Sequence, residues 1–369
     1  MQLTELSLEE QIPLKLISLY ECYGYKKYKM SKFEPYDLYR ENKSFINSEN
    51  IITFTNSDGT LMAMKPDVTM SIIKNIKKDT HLRKYYYSES VFRNSYDSKE
   101  LREIKQMGLE YIGSDAGYSE TEVLSLAVQT MQAIDEDFII NISHTAFISS
   151  LLAKINADEY ITKRIYKAFK FKSVAELSSI EKDIKIEKKY LDLLYSMVNY
   201  SDSLQTASDF LDNFAVDERA LTAVEEIKVL AGSLKAGNSI NNIRFDFSVI
   251  EDTNYYNGLI FNGYLSYLPN VILRGGRYDN LMKRLNKTQG AIGFALYIGE
   301  LDRALRKNEK YYAEAKLVYD NAAPDKIIMA VKKLNQIHKS VIALDKDDEE
   351  ILTRITYKLD KYGNWEQVQ

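Results

Sequence analysis

The sequence predicts an α+β protein of more than one domain. Residues 51–112 hold β-branched and aromatic runs separated by turn signals, the pattern of paired strands. Residues 144 to about 240 are dominated by helical periodicity. Residues after 311 alternate strand-like and helix-like runs. A chain of 369 residues is too long for one small core and fits two or three domains.

In chain order, Ile12, Leu14, Leu16, Ile17, Leu19 and Tyr20 recur at helical spacing over residues 8–24. Ile51–Phe54, the turn signal Asp58-Gly59 and Leu61–Met64 predict a hairpin. Thr69–Lys77 reads as a helix. Lys84–Phe92 and Gln106–Ile112 read as strands joined by the polar loop 94–103. Ser119–Ile134 is amphipathic, with Ser119 and Glu122 spaced as a capping box. Helices are then expected at 146–155, 161–169, 188–198, 203–214 and 218–230, closed by Gly232 and Gly237. Strands return at 243–250, 259–264, 271–273 and 291–298, the last entering a helix through Leu305. In the tail, 316–319 and 340–344 read as strands and 325–337 and 348–362 as helices, a βαβα unit. The expected division is a core over 1–143 and 241–310, a helical insertion over 144–240, and a small α/β unit over 311–369.

Composition excludes several classes. The formal charge is −4 with no long basic run, which weighs against tRNA as a main partner. The single cysteine, Cys22, excludes an intrachain disulfide and reads as a small core residue in a reducing compartment. The polar, acidic start is unlike a signal peptide, and no apolar run approaches the ~20 residues that span a bilayer. A cytoplasmic, membrane-free protein is expected. His81, His144 and His338 lack metal-ligand spacing, so no metal site is expected.

Several segments carry chemistry. In Lys65-Pro66-Asp67-Val68-Thr69 a carboxylate can hold an ammonium group; the same residues also read as a helix start, with Pro66 in the first turn. Arg93 and Arg102 flank the polar loop, where two guanidinium forks can converge on an oxyanion. Gln106 and Glu110 share one strand face and offer an imidazole a donor and an acceptor. Tyr255-Tyr256-Asn257-Gly258 sets adjacent rings on opposite strand faces, one for a pocket and one for the core. In Gly275-Gly276-Arg277-Tyr278-Asp279 two glycines admit a close approach or sharp turn, with Arg277 and Asp279 pairing. Gly293-Phe294-Ala295-Leu296 is a glycine-led strand. Each segment alone also reads as ordinary core or surface; their order is the informative part.

Together and in this order the segments resemble the catalytic core of histidyl-tRNA synthetase, a class II aminoacyl-tRNA synthetase, over roughly residues 10–305. The resemblance implies an antiparallel sheet flanked by helices, assembled as a homodimer. It implies a histidine pocket of Asp67, Thr69, Arg93, Gln106, Glu110, Tyr255 and Tyr256, bordered by Arg102, Gly275, Gly276 and Arg277.

The departures share one direction. The family carries an arginine four residues before the tyrosine pair, where this chain has Glu251. Glu300 stands at the place of the ATP-contacting arginine of motif 3, with Arg303 three residues further on. Glu103-Ile104-Lys105-Gln106 lacks the aromatic and histidine of motif 2, and Arg274 replaces an alanine. Reversing charge where an α-phosphate is stabilised should cost several kcal/mol of transition-state stabilisation. No catalytic residue and no cofactor is expected. This profile resembles a synthetase paralogue family, the regulatory subunits of ATP phosphoribosyltransferase. That resemblance implies a short-form catalytic subunit as partner, L-histidine as ligand, and feedback control of the first step of histidine biosynthesis. A divergent histidyl-tRNA synthetase and a stand-alone histidine-binding paralogue remain the alternatives.

Overall fold

A computed structural model describes residues 8–41, 51–77, 82–94, 100–113, 117–250, 255–301 and 311–368. His81, Glu251 and Arg303 lie outside the described residues. The chain divides into two compact units, with Glu9–Glu300 in one and the described residues from Leu301 onward in the other.

The larger unit opens with α1 (Leu8–Cys22), whose buried Ile12, Leu16 and Tyr20 recur every fourth residue and form one stripe. Cys22 ends this helix exposed, because it falls off that stripe. After β1 (Lys26–Lys27), a three-stranded sheet is built from β2 (Phe33–Pro35), β3 (Thr53–Thr55) and β4 (Leu61–Met64), with α2 (Asp37–Arg40) between β2 and β3. The expected hairpin is β3–β4, turning at Gly59 with φ +84°. α3 (Val68–Asn75) follows. β5 (Arg83–Asn94) and β6 (Leu101–Ile112) pair along their whole length, so the strands extend into the segment expected as loop. α4 (Tyr118–Gln132) is capped differently from the expectation. Gly117 is the N-cap and Glu120 receives the Gly117 amide at 3.2 Å. Ser119 and Glu122 are buried, and Glu122 accepts from Tyr25 and pairs with Lys84 instead.

β7 (Phe138–His144) was not expected from the sequence. It buries alternate residues and leads into α5 (Thr145–Lys154), α6 (Glu159–Lys170), α7 (Val174–Asp183) and α8 (Lys188–Val198), then β8 (Ser201–Ser203), α9 (Leu204–Phe210) and α10 (Glu218–Ala236). α7, also unexpected, starts where Ser173 caps the Glu176 amide. α10 starts at Asp217, which accepts from the Ala220 amide at 2.9 Å and from Ser150 on α5 at 2.8 Å. Asp217→Ala is therefore expected to lower stability by about 1–2 kcal/mol, read as a fall in the urea midpoint.

β9 (Ile243–Asp246), β10 (Leu259–Leu265), β11 (Leu273–Arg277), α11 (Asp279–Arg284) and β12 (Ala291–Tyr297) complete the unit. The large sheet has nine strands in the order β1-β5-β6-β12-β11-β10-β7-β9-β8. From β5 through β7 every pairing is antiparallel. This is the antiparallel sheet with flanking helices that the segments implied.

In the smaller unit, β13 (Ala313–Tyr319) lies between β14 (Val341–Leu344) and β15 (Thr353–Leu359), with β16 (Trp365–Gln367) beyond β15 and one helix, Pro324–Leu334. The helix expected at 348–362 is instead β15 and a hairpin. Thr353, Ile355, Thr356 and Tyr357 favour an extended chain, and Tyr357 and Leu359 bury on one face at period two. The unit is βαβββ rather than βαβα. Among the described residues no helix is long and apolar enough to cross a membrane, and no group of three His, Cys, Asp or Glu could hold a metal ion.

Candidate functional site

One face of the antiparallel sheet carries the candidate residues. Directly opposed residues project to the same side, so register assigns the face. One row runs Tyr85, Glu110, Gly293, Gly276 across β5, β6, β12 and β11; the next runs Tyr87, Gly108, Ala295, Arg274. Four of these eight residues are glycine or alanine, which leaves a bare floor. A Cβ on Gly108 would lie 2.5 Å from the Tyr87 hydroxyl, one on Gly276 2.7 Å from the Tyr256 ring, and one on Gly293 1.9 Å from Glu110 Oε2. The floor is bare because larger side chains lie across it.

Glu110 is 2% exposed. Its Oε1 accepts from Thr69 Oγ1 at 2.6 Å and its Oε2 from the Tyr278 hydroxyl at 2.5 Å. Burial outweighs these donors and pushes its pKa up to about 8. At neutral pH the group is mainly a neutral acid, with a proton available to an acceptor.

Tyr255 and Tyr256 precede β10 rather than lying within a strand. They are therefore not forced to opposite faces. Their ring centroids are 4.6 Å apart, Tyr255 is 6.4 Å from Tyr278, and both pack against the cluster that includes Val68, Met70 and Tyr87. They form a wall beside the floor.

Asp67 caps α3, accepting from the Met70 amide at 2.8 Å, so Pro66 precedes the helix instead of filling its first turn. Arg93 donates through Nε to the Pro66 carbonyl at 2.9 Å and stands 3.8 Å from Asp67. Burial raises the Asp67 pKa despite this neighbour. Lys65 is fully buried and pairs with Glu89 at 2.8 Å. Arg102 lies directly opposite Arg93 but is exposed.

The structure separates some residues that the sequence grouped. Gln106 is buried on the same face as Glu110, but the Tyr87 hydroxyl stands over Gly108 between them. Gln106 also lines a hollow of about 270 Å³ with Glu89 and Lys105. Gly275 faces the opposite side, against Phe261 and Phe294. Arg277, on that opposite side too, pairs with Asp279 at 2.8 Å and Glu120 at 3.3 Å. Sequence reasoning passed over Tyr87, Gly108 and the role of Tyr278. The signal for Gly108 was present, since an isolated glycine inside a strand marks close approach of another group.

The histidyl-tRNA synthetase family profile matches residues 2–301. The chain belongs to the histidyl-tRNA synthetase family. Within this family it is 25% identical over 334 residues to the ATP phosphoribosyltransferase regulatory subunit of Oceanobacillus iheyensis, covering 87% of this chain and 80% of the relative. Among solved structures it is similar to an ATP phosphoribosyltransferase regulatory subunit/histidyl-tRNA synthetase from Bacillus halodurans, with a TM-score of 0.74, 21% identity, and coverage of 91% and 88% of the two chains. It is also similar to a chain of the ATP phosphoribosyl transferase (HisG:HisZ) complex from Thermotoga maritima, with a TM-score of 0.62, 18% identity, and coverage of 79% and 97%. At these identities the solved structures establish the shared fold. Of Glu251 and Glu300, which the sequence resemblance sets against synthetase arginines, Glu300 lies within the described residues and accepts from Asn270 Nδ2 at 3.3 Å.

Proposed function

We propose that this chain is a non-catalytic regulatory subunit of ATP phosphoribosyltransferase, which binds L-histidine on the glycine-floored face and transmits its presence to a short-form catalytic subunit. One observation carries the reading: Glu110 is buried on this face, held by Thr69 and Tyr278, where it could pair with a ring nitrogen; the sequence resemblance adds Glu251 and Glu300 at the places of the family's phosphate-handling arginines. A carboxylate repels a triphosphate, so such a site is suited to sensing an amino acid rather than to adenylating it. The imidazole would lie over this face beside Tyr87 and Tyr256, with a ring nitrogen at Glu110 and Thr69. Asp67 and Arg93 border the same face and would meet polar parts of the ligand. Relatives named as regulatory subunits, and the fold shared with a chain of the HisG:HisZ complex, support a hetro-oligomeric assembly, within which the chain would be a homodimer. Feedback follows if histidine binds one state of that assembly more tightly than another.

The test is phosphoribosyl-ATP formation by the cognate short-form catalytic subunit. Turnover is expected to depend on adding this chain and to fall as histidine is titrated in. Turnover indifferent to the chain would overturn the reading. ATP–pyrophosphate exchange driven by histidine would replace it with a divergent synthetase.

A further inference from the structure

Away from the glycine floor, the larger unit holds a hollow of about 510 Å³ between the start of α5, one face of α10 and the turns at 256–258 and 277–280. That is room for a small molecule. Arg277, which faces away from the floor, lines it; Tyr256 is shared, lining the hollow and covering Gly276 on the floor. The bonds within the lining leave a defined set of open positions. The Ala146 amide donates to His144 Nδ1, so Nε2 carries the ring proton and donates to Glu226 Oε2 at 3.0 Å. That bond outweighs burial and holds the Glu226 carboxyl below its usual pKa, an acceptor with Oε1 to spare. Thr145 Oγ1 accepts from the Gly258 amide, which leaves its hydroxyl hydrogen to donate. Ser149 donates to the Ala146 carbonyl, which leaves its oxygen to accept. Asn257 accepts through Oδ1 from the Asn280 amide, which leaves its Nδ2 to donate. Asp279 is taken up by Arg277 and the Ala291 amide. Arg219, exposed on the first turn of α10, lines the same hollow.

We propose that this hollow binds a sugar phosphate. Hydroxyl groups both donate and accept, which suits open donors on Thr145 and Asn257 beside open acceptors on Glu226 and Ser149. The phosphate pairs with the guanidinium of Arg219. Arg219 and Glu226 are seven residues apart on α10, so they share one stripe of the helix about 10 Å long. A bare phosphate at Arg219 leaves the Glu226 end empty, whereas a sugar carrying a phosphate at one end fills both. The charge of Glu226 sets the orientation, because it repels the phosphate and accepts from hydroxyls. Among the described residues lining the hollow only Tyr256 and His144 carry rings, and His144 is engaged with Glu226, so a nucleobase finds little to stack on. The site stands apart from the histidine face and does not depend on that reading.

Calorimetry on the full chain tests this with ribose 5-phosphate, and with ribose and inorganic phosphate as its two halves. Ribose 5-phosphate is expected to bind about tenfold or more tightly than either half, the worth of one charge-assisted hydrogen bond. Arg219→Ala, at an exposed position, should weaken ribose 5-phosphate by about tenfold or more. Glu226→Gln keeps an oxygen for the His144 bond; it should weaken ribose 5-phosphate without weakening inorganic phosphate. Ribose 5-phosphate bound no more tightly than inorganic phosphate would reduce the site to a surface contact with Arg219 and overturn the proposal. An affinity for it unchanged in either variant, or no binding to the unsubstituted chain, overturns it as well.

Discussion

Gly293→Ala is expected to destabilise the larger unit by about 3 kcal/mol or more, and to leave a fraction unfolded at ambient temperature. The added Cβ would lie 1.9 Å from Glu110 Oε2 and 2.4 Å from the backbone oxygen of Leu109. The first contact could be relieved by turning Glu110, but that breaks its bonds to Thr69 and Tyr278 in a buried setting. The second is with backbone of the adjacent strand. β12 is held between β6 and β11, so it has no edge toward which to move. Gly232 on α10 is the matched control: nothing lies within 4 Å of its added Cβ, and alanine there should stabilise the chain by ~0.5–1 kcal/mol. Urea midpoints of the two variants should move in opposite directions. A Gly293→Ala midpoint at the unsubstituted value would contradict the register that places Gly293 beside Glu110.

What was legible in the sequence follows from how locally each feature is encoded. α1 and the β3–β4 hairpin declare themselves through spacing and a turn signal. β7 did not, because Phe138, Ile140 and Ile142 alternate over only seven residues and run straight into α5. The 348–362 segment was misread because Ile351, Ile355 and Leu359 repeat every four residues, while the β-branched content that decides the matter lies between them. Ser119 was a sound cap by type, but Gly117, at φ +105°, can end the preceding segment and begin the helix two residues earlier.

The candidate site divides the same way. The spacing of Gln106 and Glu110 predicted their shared face, and both are buried there. What spacing within one strand could not supply is the residue between them, because Tyr87 comes from the neighbouring strand. The same reasoning explains Arg277, which the glycine-rich motif placed near the pocket. Its neighbour Gly276 is on the floor, so period two sends Arg277 to the other side, where Glu120 of α4 awaits it. Only cross-strand register reveals that Arg274, not Arg277, shares the floor with Glu110.

Glu110→Gln is expected to remove a large part of the pH dependence of stability. Burial raises the Glu110 pKa from 4.5 to about 8, so the folded chain keeps this proton where the unfolded chain releases it. Stability from this group is therefore fully present below about pH 4.5, declines as pH rises, and levels off above about pH 8. At ~1.4 kcal/mol per tenfold change in proton affinity, the whole decline is about 5 kcal/mol. Glutamine keeps the shape and does not ionise; its carbonyl oxygen still accepts from one of the Thr69 and Tyr278 hydroxyls, and the other hydroxyl can rotate to accept from its amide N–H. Asp67 and other groups still titrate, so the measurement is the difference between two curves. Melting temperatures of the two proteins from pH 5 to 9 should diverge in favour of the glutamine variant up to about pH 8 and run parallel beyond it. Curves that stay parallel from pH 5 upward would show that Glu110 ionises normally in the folded chain, and its carboxylate would then meet the imidazole as an anion rather than as a neutral acid.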